Sequence, residues 1–300
     1  MAEFKVTRPI GATKFDDSPA AFMTNPMQRL AYFINERSLI LKKRLAGLPK
    51  PWTDDPIFLI YKFCNVRRED DRVTIWLRDN WRNPNTDDPF MWNAMSMARL
   101  INWPDTLNDI GYPDRSSRRW LGVDAAKRAM HFRQSMGEQV FTGSYMITNG
   151  GRKGSKIDFI CNTLAENRLI NDPPVKGDSL AVAHAKLKAA PGLGSFLAAQ
   201  VVADCKYTDL LKDAPDWHDW AAPGPGSLRG LERLFKRKIT KPQEFVISLT
   251  SIRTFIRPLL GSHVPELCLQ DIQNCLCEFD KYERTLWGEG RPRSSYPGLA

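Results

Sequence analysis

A chain of 300 residues, 42% hydrophobic and 10% aromatic, is long and apolar enough to bury a sizeable core, which excludes global disorder. No run approaches the ~18 apolar residues of a membrane span. The opening stretch MAEFKVTRPIGATKFDD holds no apolar segment of signal-peptide length, so a cytoplasmic protein with no membrane partner is expected. Forty-three Lys and Arg against 34 Asp and Glu leave a formal charge of +9, and the sequence pI is about 9.3. That balance points to a polyanionic partner, nucleic acid first.

The basic excess is clustered: nine basic and four acidic residues in 1–50, nine and three in 112–156, eight and two in 229–257. Six cysteines are too few for a disulfide scaffold in a chain of this length. Cys268 and Cys275 are spaced as in the iron–sulfur clusters of some helical DNA glycosylases. Only one residue separates Cys275 from Cys277, however, and no fourth Cys follows, so no metal site is expected.

In chain order, residues 1–25 read as an aperiodic arm, and 26–300 as a single helical domain or two lobes with a cleft between them. A helix begins after Pro26, with Leu30, Phe33, Ile34 and Leu41 on its apolar face, and stops at Gly47 and Pro49. Asp54-Asp55-Pro56 opens a second helix carrying Ile57, Phe58, Ile60, Tyr61 and Phe63. Further helical patterns lie at about 71–82, 89–102, 123–136, 156–170, 179–190, 195–206, 228–237, 242–258 and 264–286, separated by Pro and Gly breakers such as Trp103-Pro104. Only Phe141 to Thr148 has the pattern of a strand. The fold class is therefore all-α.

Two glycine-rich turns stand out. Ser179 to Ala190 and Ser195 to Asp204 form two alanine-rich helical patterns joined by Pro191-Gly192-Leu193-Gly194, the arrangement of a helix-hairpin-helix. Gly192 and Gly194 permit backbone conformations closed to other residues, and Ser195 is placed to cap the second helix. Its unpaired N–H groups suit a DNA phosphate. Downstream, Pro223-Gly224-Pro225-Gly226-Ser227-Leu228-Arg229 opens another helix, with Ser227 as cap and Arg229 in the first turn, the chemistry of an anion site. A structural turn uses the same glycines. Asp204, Asp209, Asp213, Asp216 and Asp219 lie between the two turns, and spacing alone does not select one as a general base.

Charges of both signs interrupt apolar residues in Phe63-Cys-Asn65-Val-Arg67-Arg68-Glu69-Asp70-Asp71-Arg72. At helical spacing Arg68 and Arg72 share a face, as do Asn65 and Arg68, with Asp71 three residues from Arg68. Phe141-Thr142-Gly143-Ser144-Tyr145 offers hydroxyls and a glycine turn. Glu278-Phe-Asp280-Lys281-Tyr282-Glu283-Arg284 reads as a helix surface of i,i+3 and i,i+4 ion pairs.

The ordered set FCNVRREDDRVTIW, FTGSYM, PGLGSFLAAQVVADCKYT, GPGSLRGL and LCEFDKYER, spanning about 60–285, resembles the phage alpha-glutamyl/putrescinyl thymine pyrophosphorylases, understood as amino acid:DNA transferases of thymine hypermodification. That family is similar in fold to helix-hairpin-helix DNA glycosylases, and a related helical domain occurs in 5-hydroxymethyluracil DNA kinases. Those kinases join it to a P-loop region. Here Gly150 to Lys156, which includes Lys153, lacks the P-loop spacing and a preceding buried strand. The resemblance therefore implies a transferase acting in a phage-infected bacterial host. Its substrate is double-stranded DNA whose 5-hydroxymethyluracil is phosphorylated or pyrophosphorylated, and the amine of an amino acid, glycine foremost, displaces that group. The modified base leaves the stack to react.

On this resemblance Arg68, Arg72 and Arg229 bind the phosphate group, Asp204 and Asp71 orient or deprotonate the amine, and Asn65 and Tyr145 read the base. Glu278, Asp280 and Lys281 carry a family motif at the substrate. Gly192, Gly194, Ser195, Gly226, Ser227 and Lys153 are expected at the DNA. No cofactor is implied.

Overall fold

The computed structural model describes residues 15–113, 123–143, 154–166, 172–190 and 192–296. Its helices are α1 (Pro26–Leu45), α2 (Pro56–Ile60), α3 (Arg72–Leu77), α4 (Met91–Ile101), α5 (Pro104–Ile110), α6 (Val123–Ser135), α7 (Lys156–Glu166), α8 (Leu180–Lys188), α9 (Gly194–Cys205), α10 (Pro225–Phe235), α11 (Pro242–Ile256) and α12 (Leu269–Leu286). Among the described residues there is no strand, only an isolated antiparallel bridge between Tyr61 and Ser295. Phe141–Gly143, the described start of the expected strand, is irregular. No described helix is long and apolar enough to cross a membrane. Helix α5 begins where a breaker was expected, because Pro104 occupies the first helical turn, where its missing N–H costs nothing.

The chain divides into two compact units: residues 1–70 with 223–300, and residues 71–222. The first closes around an aromatic cluster in which Phe33 of α1 meets Phe58, Phe63, Phe279 and Tyr282 at centroid distances of 5.4, 5.7, 6.1 and 5.5 Å. Asp55 ties this core to the start of α2. Its Oδ1 accepts the Ile57 and Phe58 amides, while Oδ2 accepts the hydroxyls of Ser18, Tyr32 and Tyr282. Burial, then the Asp55 charge, pushes both tyrosine pKa values up.

The second unit buries α4 on every side, with Trp92, Met95, Ala98 and Ile101 packed among Ile160, Leu187, Val201 and Val202. Helix α8 starts on two acceptors: Ser179 Oγ receives the Val182 amide, and Asp216 receives those of Leu180 and Ala181 at 2.6 and 3.0 Å. Asp216 is thus a cap. All six cysteines are free thiols.

Candidate functional site

In the first unit α10 lies directly against α12 because α10 presents glycine there. A Cβ on Gly226 would stand 2.3 Å from Cys277 Sγ, and one on Gly230 2.4 Å from the Leu276 carbonyl oxygen. Ser227 is fully buried and closes the helix start by bonding the Gly224 amide and carbonyl at 3.1 and 3.0 Å. It caps from inside the first turn, since the helix begins at Pro225, and Arg229 falls in the second turn. Gly226 and Ser227 therefore serve helix packing. Their burial removes them from a DNA-facing role.

That close approach sets the arginines of α10 over the carboxylates of α12. Asp280, 1% exposed in its side chain, accepts Arg229 Nε at Oδ2 and Arg233 Nε at Oδ1, both at 2.9 Å. Arg284 Nε lies 3.4 Å from Asp280 Oδ2, and Arg233 also binds Glu289 at 2.5 Å. The Arg229 side chain is 53% exposed. It is therefore anchored at Nε with much of its guanidinium open to solvent.

Two residues before Asp280 on α12, and so more than half-way around from it, Glu278 accepts the Cys64 amide at 3.2 Å and Lys281 Nζ at 2.5 Å. Burial works against the Lys281 charge, but the charge and hydrogen bond of Glu278 outweigh it and hold its pKa above the ordinary value. Cys277 sits between the two clusters. Burial and the Glu278 charge push its thiol up, against the pull of Lys281 and Arg229. Four cations, Arg229, Arg233, Lys281 and Arg284, thus meet three carboxylates, Asp280, Glu278 and Glu289, and Arg229, the most exposed of the four, has donors left for an anion.

Asn65 lies beside these pairs and is spoken for. Its Oδ1 accepts Arg37 Nη2, its Nδ2 donates to the Asp70 carbonyl at 2.7 Å, and its own carbonyl accepts Asn274 at 2.9 Å. At 6% exposure it knots a loop and does not present an amide edge to a base. Arg68 and Arg72 do not share a helix face. Arg68 sits in a single 3-10 turn, Arg72 opens α3, and Asp71 between them is extended at φ −81°, ψ 139°. The helical spacing assumed from sequence is broken there.

In the second unit Asp204 is 1% exposed and locked in a fork with Arg99, at 2.5 Å to Nε and 2.6 Å to Nη2. Arg99 also donates to Thr74 and Asn102. Asp204 is thus a buried counter-ion to Arg99. Between α8 and α9, Gly192 has φ +90° and its Cβ would lie 2.8 Å from Phe159 Cζ, whereas Gly194, at φ +57°, faces open space. The close approach expected for a partner is, at Gly192, made by Phe159. Ser195 lies within α9, which starts one residue before it, so it does not cap. Its carbonyl and hydroxyl face His184 Nε2 at 3.0 and 3.4 Å instead.

The fold thus gathers Arg229, Glu278, Asp280 and Lys281, from motifs about fifty residues apart in sequence, and leaves Asp71, Arg72 and Asp204 in the other unit. Tyr145 and Lys153 lie outside the described residues. Sequence reasoning missed Arg233 and Arg99, and placed Arg284 only in a surface run of i,i+3 and i,i+4 pairs, whereas its partner Asp280 is buried. Arg233 sits four residues after Arg229, a helical step that was readable. Arg99 is the lone charge in MWNAMSMARLI, a signal that a buried partner must exist.

An all-helical protein with a preassembled cluster of cations and carboxylates is the class these features define. A family model described as 5-hmdU DNA kinase, helical domain, matches residues 24–291, and the chain belongs to that helical-domain family. The 5-hmdU DNA kinase of Bacillus phage SP10 is 30% identical over 285 residues, covering 84% of this chain and 44% of that protein. The chain spans less than half the length of that relative. No solved structure matches.

Proposed function

We propose that this protein is an amino acid:DNA transferase of thymine hypermodification, built on a helix-hairpin-helix, glycosylase-like fold. Its substrate is DNA carrying 5-phosphomethyl- or 5-pyrophosphomethyl-deoxyuridine, and its co-substrate an amino acid, glycine foremost. Membership in a family named for 5-hmdU DNA supports the substrate class. The observation that carries the reading is Arg229, half-exposed, anchored on buried Asp280 and flanked by Arg233 and Arg284.

In the proposed step the amine lone pair forms a C–N bond at the 5-methylene carbon. The C–O bond breaks, its electron pair leaving on the phosphate or pyrophosphate oxygen, and the amine gives up a proton. Arg229, with Arg233 and Arg284 behind it, stabilises the charge that grows on the leaving group. Lys281 pairs with the amino-acid carboxylate or a second phosphoryl oxygen. Asp71 and Tyr145 remain the proposals for taking the proton and reading the extruded base. Arg68 and Arg72, with Gly194, Ser195 and Lys153, are proposed along the DNA backbone.

The deciding experiment is mass spectrometry of nucleosides released from phosphorylated hydroxymethyluracil DNA after incubation with the protein and an amino-acid mixture. A nucleoside with an amino acid in place of the phosphate supports the proposal. Free base with abasic DNA replaces it by a glycosylase. Unchanged DNA that is nonetheless bound favours a recognition module.

A further inference from the structure

The Asp280 cluster leaves one chemically distinctive part of the first unit unused. A cleft of about 380 Å³ is lined by Ile40, Lys50, Trp52, Phe58, Leu59 and Tyr296, within the size range of small-ligand sites. Its floor is aliphatic and aromatic, and its walls are the rings of Trp52 and Tyr296. Both rings are set by backbone bonds nearby. Trp52 Nε1 donates to the Leu48 carbonyl at 2.7 Å, and Lys43 Nζ donates to the Trp52 carbonyl at 2.8 Å. The Tyr296 amide donates to the Ile60 carbonyl at 2.9 Å, and the Lys62 amide to Ser294 at 3.0 Å.

Cations surround this cleft. Lys50 Nζ lies 5.3 Å from the Trp52 centroid and 5.4 Å from that of Tyr296, and Lys62 lies 5.1 Å from Tyr296. Beside it, a second cleft of about 450 Å³ is lined by Tyr61, Arg291, Arg293 and Ser295. Along the tail, Arg291, Pro292, Arg293 and Ser295 line the basic cleft and Tyr296 the aromatic one. Lys50, Lys62, Arg291 and Arg293 are all exposed, and none is ion-paired to a carboxylate of the described residues. Of the two acids in residues 48–62, Asp55 is buried as the α2 cap, leaving Asp54 alone exposed.

We propose that the Trp52–Tyr296 cleft receives an unstacked base of a DNA strand, with the strand's phosphates held by Lys50, Lys62, Arg291 and Arg293. The Lys50 ammonium lies over both rings and that of Lys62 over Tyr296, so a cationic ligand is repelled, whereas an entering base displaces Lys50 from the rings towards the base's own phosphates. A simple inorganic anion has no use for an apolar floor and two aromatic walls. A flat neutral ring joined to a chain of phosphates satisfies both halves, as at other single-strand surfaces where aromatic platforms alternate with basic side chains. Four cations across two clefts exceed what one mononucleotide needs, which favours a strand. The inference rests on DNA being the partner, as the proposed function requires, but it uses none of the residues assigned to the reacting group.

Fluorescence anisotropy with a labelled oligothymidylate and a duplex of equal length tests it. Tyr296→Leu and Trp52→Ala should each weaken oligothymidylate binding about tenfold, the loss expected of one stacked base, while Tyr296→Phe keeps wild-type affinity. Duplex binding should be unchanged in all three. Arg291→Ala with Arg293→Ala should flatten the slope of log K on log salt by roughly 1.4, the value for two lost single-strand phosphate contacts. Wild-type affinity in folded Tyr296→Leu, or equal losses on duplex and single strand, overturns the proposal. Because the probe bears no phosphorylated base and no amino acid is present, a failed transfer assay leaves this result standing, and the converse holds equally.

Discussion

Arg229 and Asp280 form an asymmetric pair: the carboxylate is 1% exposed and the guanidinium 53% exposed, joined through Nε at 2.9 Å. The two members should therefore differ in what substitution costs: stability for the carboxylate, binding for the guanidinium. Asp280→Asn leaves Arg229, Arg233 and Arg284 facing one another without their shared counter-charge, and should cost about 3–5 kcal/mol in denaturant unfolding, as other broken buried pairs do. Arg229→Ala removes a solvent-exposed side chain and should cost under about 1 kcal/mol, while lowering affinity for phosphorylated over plain DNA at least tenfold, the ratio that competition binding would measure.

The Arg99–Asp204 fork yields a contrasting expectation. Asp204→Asn and Arg99→Met should each destabilise by about 3–5 kcal/mol, since each strands a buried charge. The double variant Arg99→Met with Asp204→Leu should recover part of that loss, because two apolar side chains leave nothing unpaired. Urea unfolding of all three measures the coupling. A stable Asp204→Asn protein with lost turnover would return Asp204 to the chemistry.

Glycine substitutions separate packing from turn conformation. Gly230→Ala drives a Cβ to 2.4 Å from a backbone oxygen of α12, which has no rotamer to yield, and should cost more than about 3 kcal/mol, at the upper end of overpacking. Gly194→Ala meets open space and bears only the strain of its positive φ, about 1 kcal/mol. The melting temperatures should fall in that order.

His184 gives a pH signature. Burial first, with the Lys188 charge, holds its pKa below the ordinary 6.5, against the opposing bond to Ser195. The unfolded chain then binds the proton more readily than the folded one, so this residue's contribution is complete above about pH 6.5 and is lost as the pH falls below it. The difference in melting temperature between wild type and His184→Gln should narrow on acidification from neutral pH. A constant difference would mean that the imidazole does not titrate with unfolding.

Much of the helical architecture was legible because its signals are local. Pro26 and Asp54-Asp55-Pro56 mark helix starts through the proline and its acidic neighbours, and the structure adds the side-chain caps, Asn25 and Asp55. Apolar periodicity located α4 and α12 to within a few residues for the same reason: it depends only on neighbours three and four positions apart. The resemblance picked out Arg229, Glu278, Asp280 and Lys281, and the fold joins them in two neighbouring pairs, Arg229 with Asp280 and Lys281 with Glu278. What each does there was not legible, because a carboxylate surrounded by solvent and one buried beneath three guanidinium groups have the same letter. Only the tertiary structure decided that Asp280 organises three arginines and that Asp204 is neutralised by Arg99, 105 residues away. It likewise decided that Gly226 and Ser227 face Cys277 and the helix's own turn. Charge, burial and close approach between distant segments set these roles, and periodicity along one segment carries no information about what another segment brings to it.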